Sequence, residues 1–330
     1  MDERDWLTER FEQHRTRLHA VAYRMLGSVS EADDAVQDAW LRIHRADTSD
    51  VQNLSGWLTT VVARVCLNQL RSRAARREDP LDVHVPDPIV SRDDAGDPEH
   101  AALLADSVGL ALLVVLETLT PAERLAFVLH DMFAVSFEEI APMIERSPVA
   151  ARQAASRARR RVRGQAPVPD PDLTRQRAVV DAFFAASRDG DFDALVAVLD
   201  PDVVLRSDGG ISRPRLTMVL RGADEVAGQA LASGRLSPFV RPALINGAAG
   251  VVVAANERTL FIMAFTVMPR SRMEAAAARP KVSRRSSAMI NCSSRTLSCS
   301  TFPGSKSRPV SPSWINSGIP PARLPITAQP

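Results

Sequence analysis

Residues 147 to 163, SPVAARQAASRARRRVR, are rich in arginine and contain no acidic residue. Ser147 and Pro148 are residue types favoured just before a helix and at its first position. Small alanines recur every three or four residues, which gives the predicted helix one narrow packing face, and the arginines fall on its other faces. Such a helix is either a solvated basic surface or a surface that neutralises nucleic-acid phosphates.

The segment before this basic helix favours the nucleic-acid interpretation. Thr120 and Glu123 have the spacing of a capping box and predict a helix over about 121–132. The same signature at Ser136 predicts a shorter helix near 137–144. A short helix, a tight turn and a basic second helix are typical of the helix-turn-helix, whose second helix enters the DNA major groove. The predicted DNA contacts are Val149, Arg152, Gln153, Arg157, Arg159 and Arg160.

The stretch SVSEADDAVQDAWLRIHRA, residues 28 to 46, predicts an amphipathic helix with a small apolar face. Its outer face is acidic and consists of Asp33, Asp34, Gln37 and Asp38, called the acidic face below. One explanation is structural, because the helix macrodipole favours acids in a first turn. The other is a surface that binds a partner.

A second basic helix is predicted from NLSGWLTTVVARVCLNQLRSRAARRE, residues 53 to 78. It has an apolar face and carries arginines towards its far end, with no acid before Glu78. A basic helix that follows a polar loop suits the backbone and displaced bases of locally opened DNA.

Together these segments resemble regions 2 and 4 of bacterial extracytoplasmic-function (ECF) sigma factors of RNA polymerase, over about residues 5–165. The resemblance implies two partners, core RNA polymerase bound by the acidic face and promoter DNA. It implies that the helix from Pro148 reads the −35 element and that the loop and helix of 47–71 open and read the −10 element. The implied −10 contacts are Asn53, Trp57, Arg64, Asn68 and Arg71.

The resemblance also implies a division into domains. Region 2 is expected at 5–78 and region 4 at 106–165. Between them, 79–105 is rich in proline and aspartate, so we predict an extended or flexible linker outside any core.

Residues 172–267 predict helices followed by strands, which is typical of an α+β cone. This part resembles a SnoaL-like domain of the NTF2-like fold, as found in SigJ-type ECF sigma factors. In that group the domain is thought to regulate the sigma factor in place of a separate anti-sigma protein. Asp208, Gly209 and Gly210 match part of the group's glycine-rich motif, which Ile211 interrupts.

Residues 268–330 differ in composition from the rest of the chain. They contain ten basic residues but one acid, Glu274, with many serines and prolines. Such a segment buries little apolar surface, so we predict a disordered tail. The cone is then expected to be incomplete, with the edge of its last strand uncovered, and a change of reading frame near Val267 is our hypothesis for the cause.

Several function classes are not expected from this sequence. The six histidines show no metal-ligand spacing, and no cofactor is predicted. Catalysis is not expected either, because Asp208 is the one evident acid candidate in the cone and no histidine follows His130. Three cysteines without paired spacing and the lack of a long apolar run predict a cytoplasmic protein with no membrane span. The alternative function is a helix-turn-helix repressor that does not bind polymerase.

Overall fold

The computed structural model describes residues 3–46, 51–75, 85–91, 109–210, 213–255, 258–269 and 288–293. The first module is a bundle of α1 (Glu3–Leu26), α2 (Val29–Ile43) and α3 (Leu54–Ala75). Gly27 ends α1 with φ +74, in the left-handed region that glycine adopts without strain. The apolar faces predicted for α2 and α3 meet α1 in the bundle core, where Met25, Ile43 and Leu58 are fully buried.

The second module contains the helix-turn-helix. Its helices are α4 (Leu110–Glu117), α5 (Pro121–Phe127), which continues as a π-helical turn (Val128–Met132), α6 (Phe137–Ile140) and α7 (Pro148–Gln165). Both predicted capping boxes are present. The short helix ends four residues before the predicted end at 144, because Pro142 has no N–H to continue the helical bonding.

The C-terminal region is α+β, as predicted. Its elements are α8 (Leu173–Asp189), α9 (Phe192–Val198), β2 (Val204–Asp208), a 3₁₀ turn (Pro214–Leu216), β3 (Met218–Arg221), α10 (Ala223–Ala232), a 3₁₀ helix (Gly234–Phe239), β4 (Val240–Ile245), β5 (Ala248–Ala255), β6 (Arg258–Val267) and β7 (Ala288–Ser293). Asn246 and Gly247 both have positive φ and form a two-residue hairpin turn between β4 and β5.

One strand comes from the segment that was predicted to be disordered. β7 pairs antiparallel with β6, from Ile262↔Ser293 to Val267↔Ala288, and parallel with β2. The prediction of disorder is therefore wrong for 288–293, and so is the uncovered edge of β6. The physical reason is that AMINCS, unlike the rest of the tail, has apolar residues at strand-like alternation. The remaining tail lies outside the described residues, apart from Met268 and Pro269.

For the described part of the linker, 85–91, the prediction that it lies outside any core is wrong. Val85 is fully buried, and Val90 and Ser91 form β1, which pairs with the end of β4. The apolar residues of HVPDPIV give this segment a buried side, and the open edge of β4 supplies the backbone partners that an extended chain needs. The described sheet thus has the order β1-β4-β5-β6-β7-β2-β3.

The sheet packs on both of its faces. Ile245 and Ile262 join the core of the helical modules, while Val251 and Phe265 pack beneath α8 in the core of the C-terminal region. Alternate residues of a strand point to opposite faces, so one sheet serves two cores.

Candidate nucleic-acid interface

The turn of the helix-turn-helix is fixed by local hydrogen bonds. Ala134 has φ +57, and its N–H donates to the carbonyl of His130 at 3.2 Å. After the turn, Ser136 Oγ accepts from the Glu139 N–H at 3.2 Å and the Glu139 carboxylate accepts from the Ser136 N–H at 3.1 Å. The reciprocal bonds fix where α6 begins and hence the path of the chain to α7.

α7 buries one face and presents the opposite one to solvent. Ala151, Ala154, Ala155 and Ala158 are buried against the other helices. Opposite them lie exposed Val149, Arg152, Gln153 and Arg160, called the reading face below. Val149 is 60% exposed although it is apolar. Because the first turns of a recognition helix contact base edges, this arrangement suits readout by Val149 and Gln153 and phosphate contact by Arg160.

Two further predicted DNA contacts lie on the flanks of α7 and are ion-paired within the module. Arg157 Nε donates to Glu123 Oε1 at 2.8 Å, and Arg159 Nε donates to Asp131 Oδ1 at 2.6 Å. Glu123 lies on α5 and Asp131 on the π-helical turn that follows it, so the two ion pairs orient α7 against these elements. Sequence reasoning missed these acid partners, and a DNA role for the two arginines stays a prediction.

Glu123 is nearly buried yet ionised. Burial opposes the charged form of its carboxyl, but hydrogen bonds from Arg157 and Thr120 outweigh that effect and lower its pKa below the usual 4.5. The same carboxylate therefore caps α5 and holds the basic helix.

α3 carries the predicted −10 contacts at the spacing of one helix face. Arg64, Asn68 and Arg71 are exposed and lie four and three residues apart, which defines the basic face of α3. Trp57 is half-buried against the helical core, and Asn53 Oδ1 accepts from the Gly56 N–H at 3.0 Å near the start of the helix. Asn53 and Trp57 thus have local structural contacts besides the predicted role.

The basic face of α3 also contacts the second module. Arg71 Nη1 donates to Glu145 Oε1 at 3.0 Å, and Glu145 stands two residues before the N-cap of α7 with φ +56. This ion pair brings the end of the predicted −10 helix beside the start of the predicted −35 helix.

Buried arginines strengthen the packing between the two helical modules. Arg124 of α5 donates from Nη1 to the Met25 carbonyl and from Nε to the Leu116 carbonyl, each at 2.8 Å. Burial lowers its pKa to about 10. Arg24 lies over the Phe133 ring at 4.7 Å. The C-terminal end of α1 is thereby held against the helix-turn-helix.

The acidic face is solvent-exposed along α2, as predicted. Asp33 Oδ1 lies 3.2 Å from His19 Nε2 of α1. Burial lowers the pKa of His19, and the Asp33 carboxylate acts in the opposite direction. Asp34, Gln37 and Asp38 project from the same side of the helix and are free to meet a basic partner surface.

Asp208, Gly209 and Gly210 form the end of β2 and the turn after it. Asp208 Oδ1 accepts from the Gly210 N–H at 2.8 Å. A Cβ on Gly209 would overlap the Arg213 carbonyl oxygen, so only glycine fits there. The motif residues shape this turn, and Ile211 lies outside the described residues.

A buried hydrogen-bond network joins α1, the linker and the β4–β5 hairpin. Tyr23 Oη donates to the Asp87 carbonyl at 2.6 Å and accepts from Asn246 Nδ2 at 3.0 Å. Asn246 Oδ1 accepts from the Ile89 N–H at 2.9 Å. The Asp87 carboxylate accepts from the Val29 N–H at 3.1 Å and caps α2. We call Tyr23, Asp87 and Asn246 the junction; only an Asn-Gly pair between apolar runs hints at it in the sequence.

Two features are absent from the described part of the chain. Its helices include none that is both long and apolar enough to span a membrane. No group of three or more histidine, cysteine or acidic side chains there could hold a metal ion.

A helical module with acidic and basic surfaces, followed by a basic helix-turn-helix, defines a DNA-binding transcription protein. The chain matches the family models Sigma-70 region 2 over residues 10–76 and Sigma-70 region 4 over residues 109–162. It is 44% identical over 218 residues to the ECF RNA polymerase sigma factor SigJ of Mycobacterium tuberculosis, covering 66% of this chain and 69% of that protein. It is 38% identical over 229 residues to the probable ECF sigma factor SigI of the same species, covering 68% and 76%.

A solved structure is also similar. The crystal structure of Mycobacterium tuberculosis SigJ aligns with a TM-score of 0.66 at 34% identity, over 87% of this chain and 95% of that one. The chain therefore belongs to the ECF RNA polymerase sigma factors, which direct polymerase to promoters, and it carries the α+β C-terminal region of the SigJ structure. This assignment favours a sigma factor over the alternative repressor. Nothing in these comparisons bears out the expectation that no separate anti-sigma protein acts on the chain.

Proposed function

We propose that this sigma factor uses three separate surfaces in transcription initiation. The acidic face of α2 binds core RNA polymerase, the basic face of α3 engages the opened −10 element, and the reading face of α7 engages the −35 element. The charges suit these partners. The basic faces of α3 and α7 can neutralise the phosphates of DNA, whereas the acidic face of α2 would be repelled by DNA and suits a protein partner. We place this activity in the cytoplasm, where bacterial polymerase and promoters are.

The C-terminal region regulates the sigma factor in this proposal, and it does so without catalysis. The observation that carries the proposal is the junction, in which a side chain of the β4–β5 turn bonds to both α1 and the linker. Because the C-terminal region is hydrogen-bonded to both the linker and region 2, it influences how easily the two helical modules separate.

Separation matters because the two promoter elements are far apart. By their names they lie about 25 base pairs apart, or about 85 Å along B-DNA at about 3.4 Å per base pair. In contrast, the side chain of Arg71 in the last turns of α3 is ion-paired at 3.0 Å with Glu145, three residues before the start of α7. An 18-residue helix such as α7 is only about 27 Å long, so this packed arrangement cannot cover both elements. Promoter binding therefore requires the two helical modules to separate, and the hydrogen bonds of the junction oppose that separation.

The test is the substitution Asn246→Gly in the full chain, assayed with core polymerase on a matched promoter. Glycine keeps the positive φ of the turn and removes both side-chain hydrogen bonds. Loss of two bonds at about 0.5–1.5 kcal/mol each, about 1–3 kcal/mol together, predicts about a fivefold to 150-fold rise in initiation at limiting sigma factor.

Arg241→Ala is the matched control, because Arg241 is exposed on the same hairpin and its side chain, within the described residues, bonds to the nearby carbonyls of Pro238 and Val240. It should leave initiation unchanged. A folded Asn246→Gly protein with unchanged or reduced initiation would contradict the regulatory role.

A further inference from the structure

The C-terminal region contains a pocket of about 120 Å³. Its walls are α8, α10, the 3₁₀ helix Gly234–Phe239 and the inner face of the sheet. The rings of Phe183, Phe184 and Phe261 line it, together with aliphatic side chains. A cavity of about 150 Å³ lined by such groups holds one benzene ring, so this pocket holds about one six-membered ring.

No acid, base or histidine is found among the residues that line this pocket in the described structure. An ion transferred there would lose its hydration without gaining a counter-charge, which costs several kcal/mol. The pocket therefore selects against charged molecules.

A small number of polar side chains also line the pocket, and they differ in whether they are available to hydrogen-bond to a bound molecule. Ser187 Oγ already donates to the Ala230 carbonyl at 2.9 Å. The half-buried side-chain amide of Gln229 has no hydrogen-bond partner within the described ranges. An amide in this position can donate to, or accept from, one polar group of a bound molecule.

We propose that this pocket binds a neutral small molecule of about one ring that carries a single hydrogen-bonding group directed at Gln229. The hydrophobic walls supply most of the affinity, and the amide sets the orientation. The site lies in the domain that we propose to be regulatory, but binding itself does not depend on that role.

The probe is 4-fluorophenol, titrated into the full-length protein and followed by ¹⁹F NMR. We expect saturable binding with a Kd at or below about 1 mM. 4-Fluorobenzoate has the same ring and a negative charge, so it should not bind at that concentration.

Three variants locate the site. Ala230→Leu fills the pocket and should abolish binding, while Ala232→Leu adds the same side chain on the exposed side of α10 and should leave it intact. Gln229→Met removes the amide and should weaken 4-fluorophenol about threefold to tenfold but leave fluorobenzene unchanged.

The unfolding temperature of each variant shows whether it is folded. Absence of saturable binding to the unaltered protein would overturn the proposal. So would equal binding to the Ala230→Leu and Ala232→Leu proteins, or equal binding of the phenol and the benzoate.

Discussion

We expect the residues on the reading face of α7 to divide between two kinds of DNA contact. Gln153 lies in the second turn of the helix, where a recognition helix contacts base edges, and Arg160 lies two turns further on, where we expect a contact with the DNA backbone. Base contacts supply sequence preference, whereas phosphate contacts supply affinity that falls with salt.

We expect Gln153→Ala to reduce the preference for the cognate −35 sequence by about 1–3 kcal/mol. Arg160→Ala should weaken binding to cognate and random DNA alike and lower the salt slope by about 1. Fluorescence anisotropy with both DNAs at several salt concentrations measures these effects. Equal loss of preference in the two variants would refute the division of roles.

Glu123 is a second residue whose role is open to a direct test. Its carboxylate caps α5 and accepts from Arg157, so Glu123→Gln should destabilise the protein by about 1–2 kcal/mol at pH 7. Because the pKa is lowered in the folded state, this contribution is present above the ordinary value of 4.5 and is lost as the pH falls through the folded pKa.

Urea unfolding of the Glu123→Gln and unaltered proteins at pH 7, 5 and 3.5 measures that contribution. Their difference should shrink at the lowest pH. Glu138→Gln, an exposed change in α6, should have little effect throughout. A difference that grows on acidification would contradict the ionised Glu123.

At the scale of helices and strands, the sequence predicted what local chemistry determines. Capping boxes and the apolar periodicities located α2, α3, α5, α7 and the start of α6 closely, whereas α4 was not predicted. It did not predict β1 and β7, since both strands exist through pairing with partners far along the chain. The ion partners of Arg157 and Arg159 were missed for the same reason, because side-chain pairing depends on how helices pack.

Ala134 is a local exception that offers a test at this scale. Its φ of +57 costs an alanine about 1 kcal/mol or more, and glycine avoids that cost. Ala134→Gly should therefore keep or raise the stability, by up to about 1 kcal/mol once the entropy of the unfolded glycine is subtracted.

The matched change Ala150→Gly falls inside the regular helix α7 and should cost about 0.5–1 kcal/mol. Thermal unfolding compares the two. Destabilisation by Ala134→Gly as large as that by Ala150→Gly would show that the turn is not left-handed at this residue.

The junction connects the helical part of the molecule with the C-terminal region, and the ionisation of one side chain, Tyr23, shows whether it is intact. Tyr23 is the single tyrosine of the chain, so its phenolate absorbance reports on the junction alone. Burial raises the pKa of Tyr23 above its usual 10.

A raised pKa means that the folded state retains its proton, so stability is unaffected below pH 10 and falls as the pH rises above that value. We expect the phenolate to form together with the loss of folded structure in an alkaline titration. Ionisation near pH 10 with the fold intact would show that Tyr23 is solvated and the junction open.

We propose that the chain binds core polymerase through the acidic face of α2, which is separate from the reading face of α7. The most direct measurement is binding of core RNA polymerase, and separately of −35 DNA, by a protein with Asp34→Lys and Asp38→Lys. Both positions are exposed, so the fold should survive. We expect loss of polymerase binding with DNA binding retained. Unchanged polymerase binding would contradict the claim.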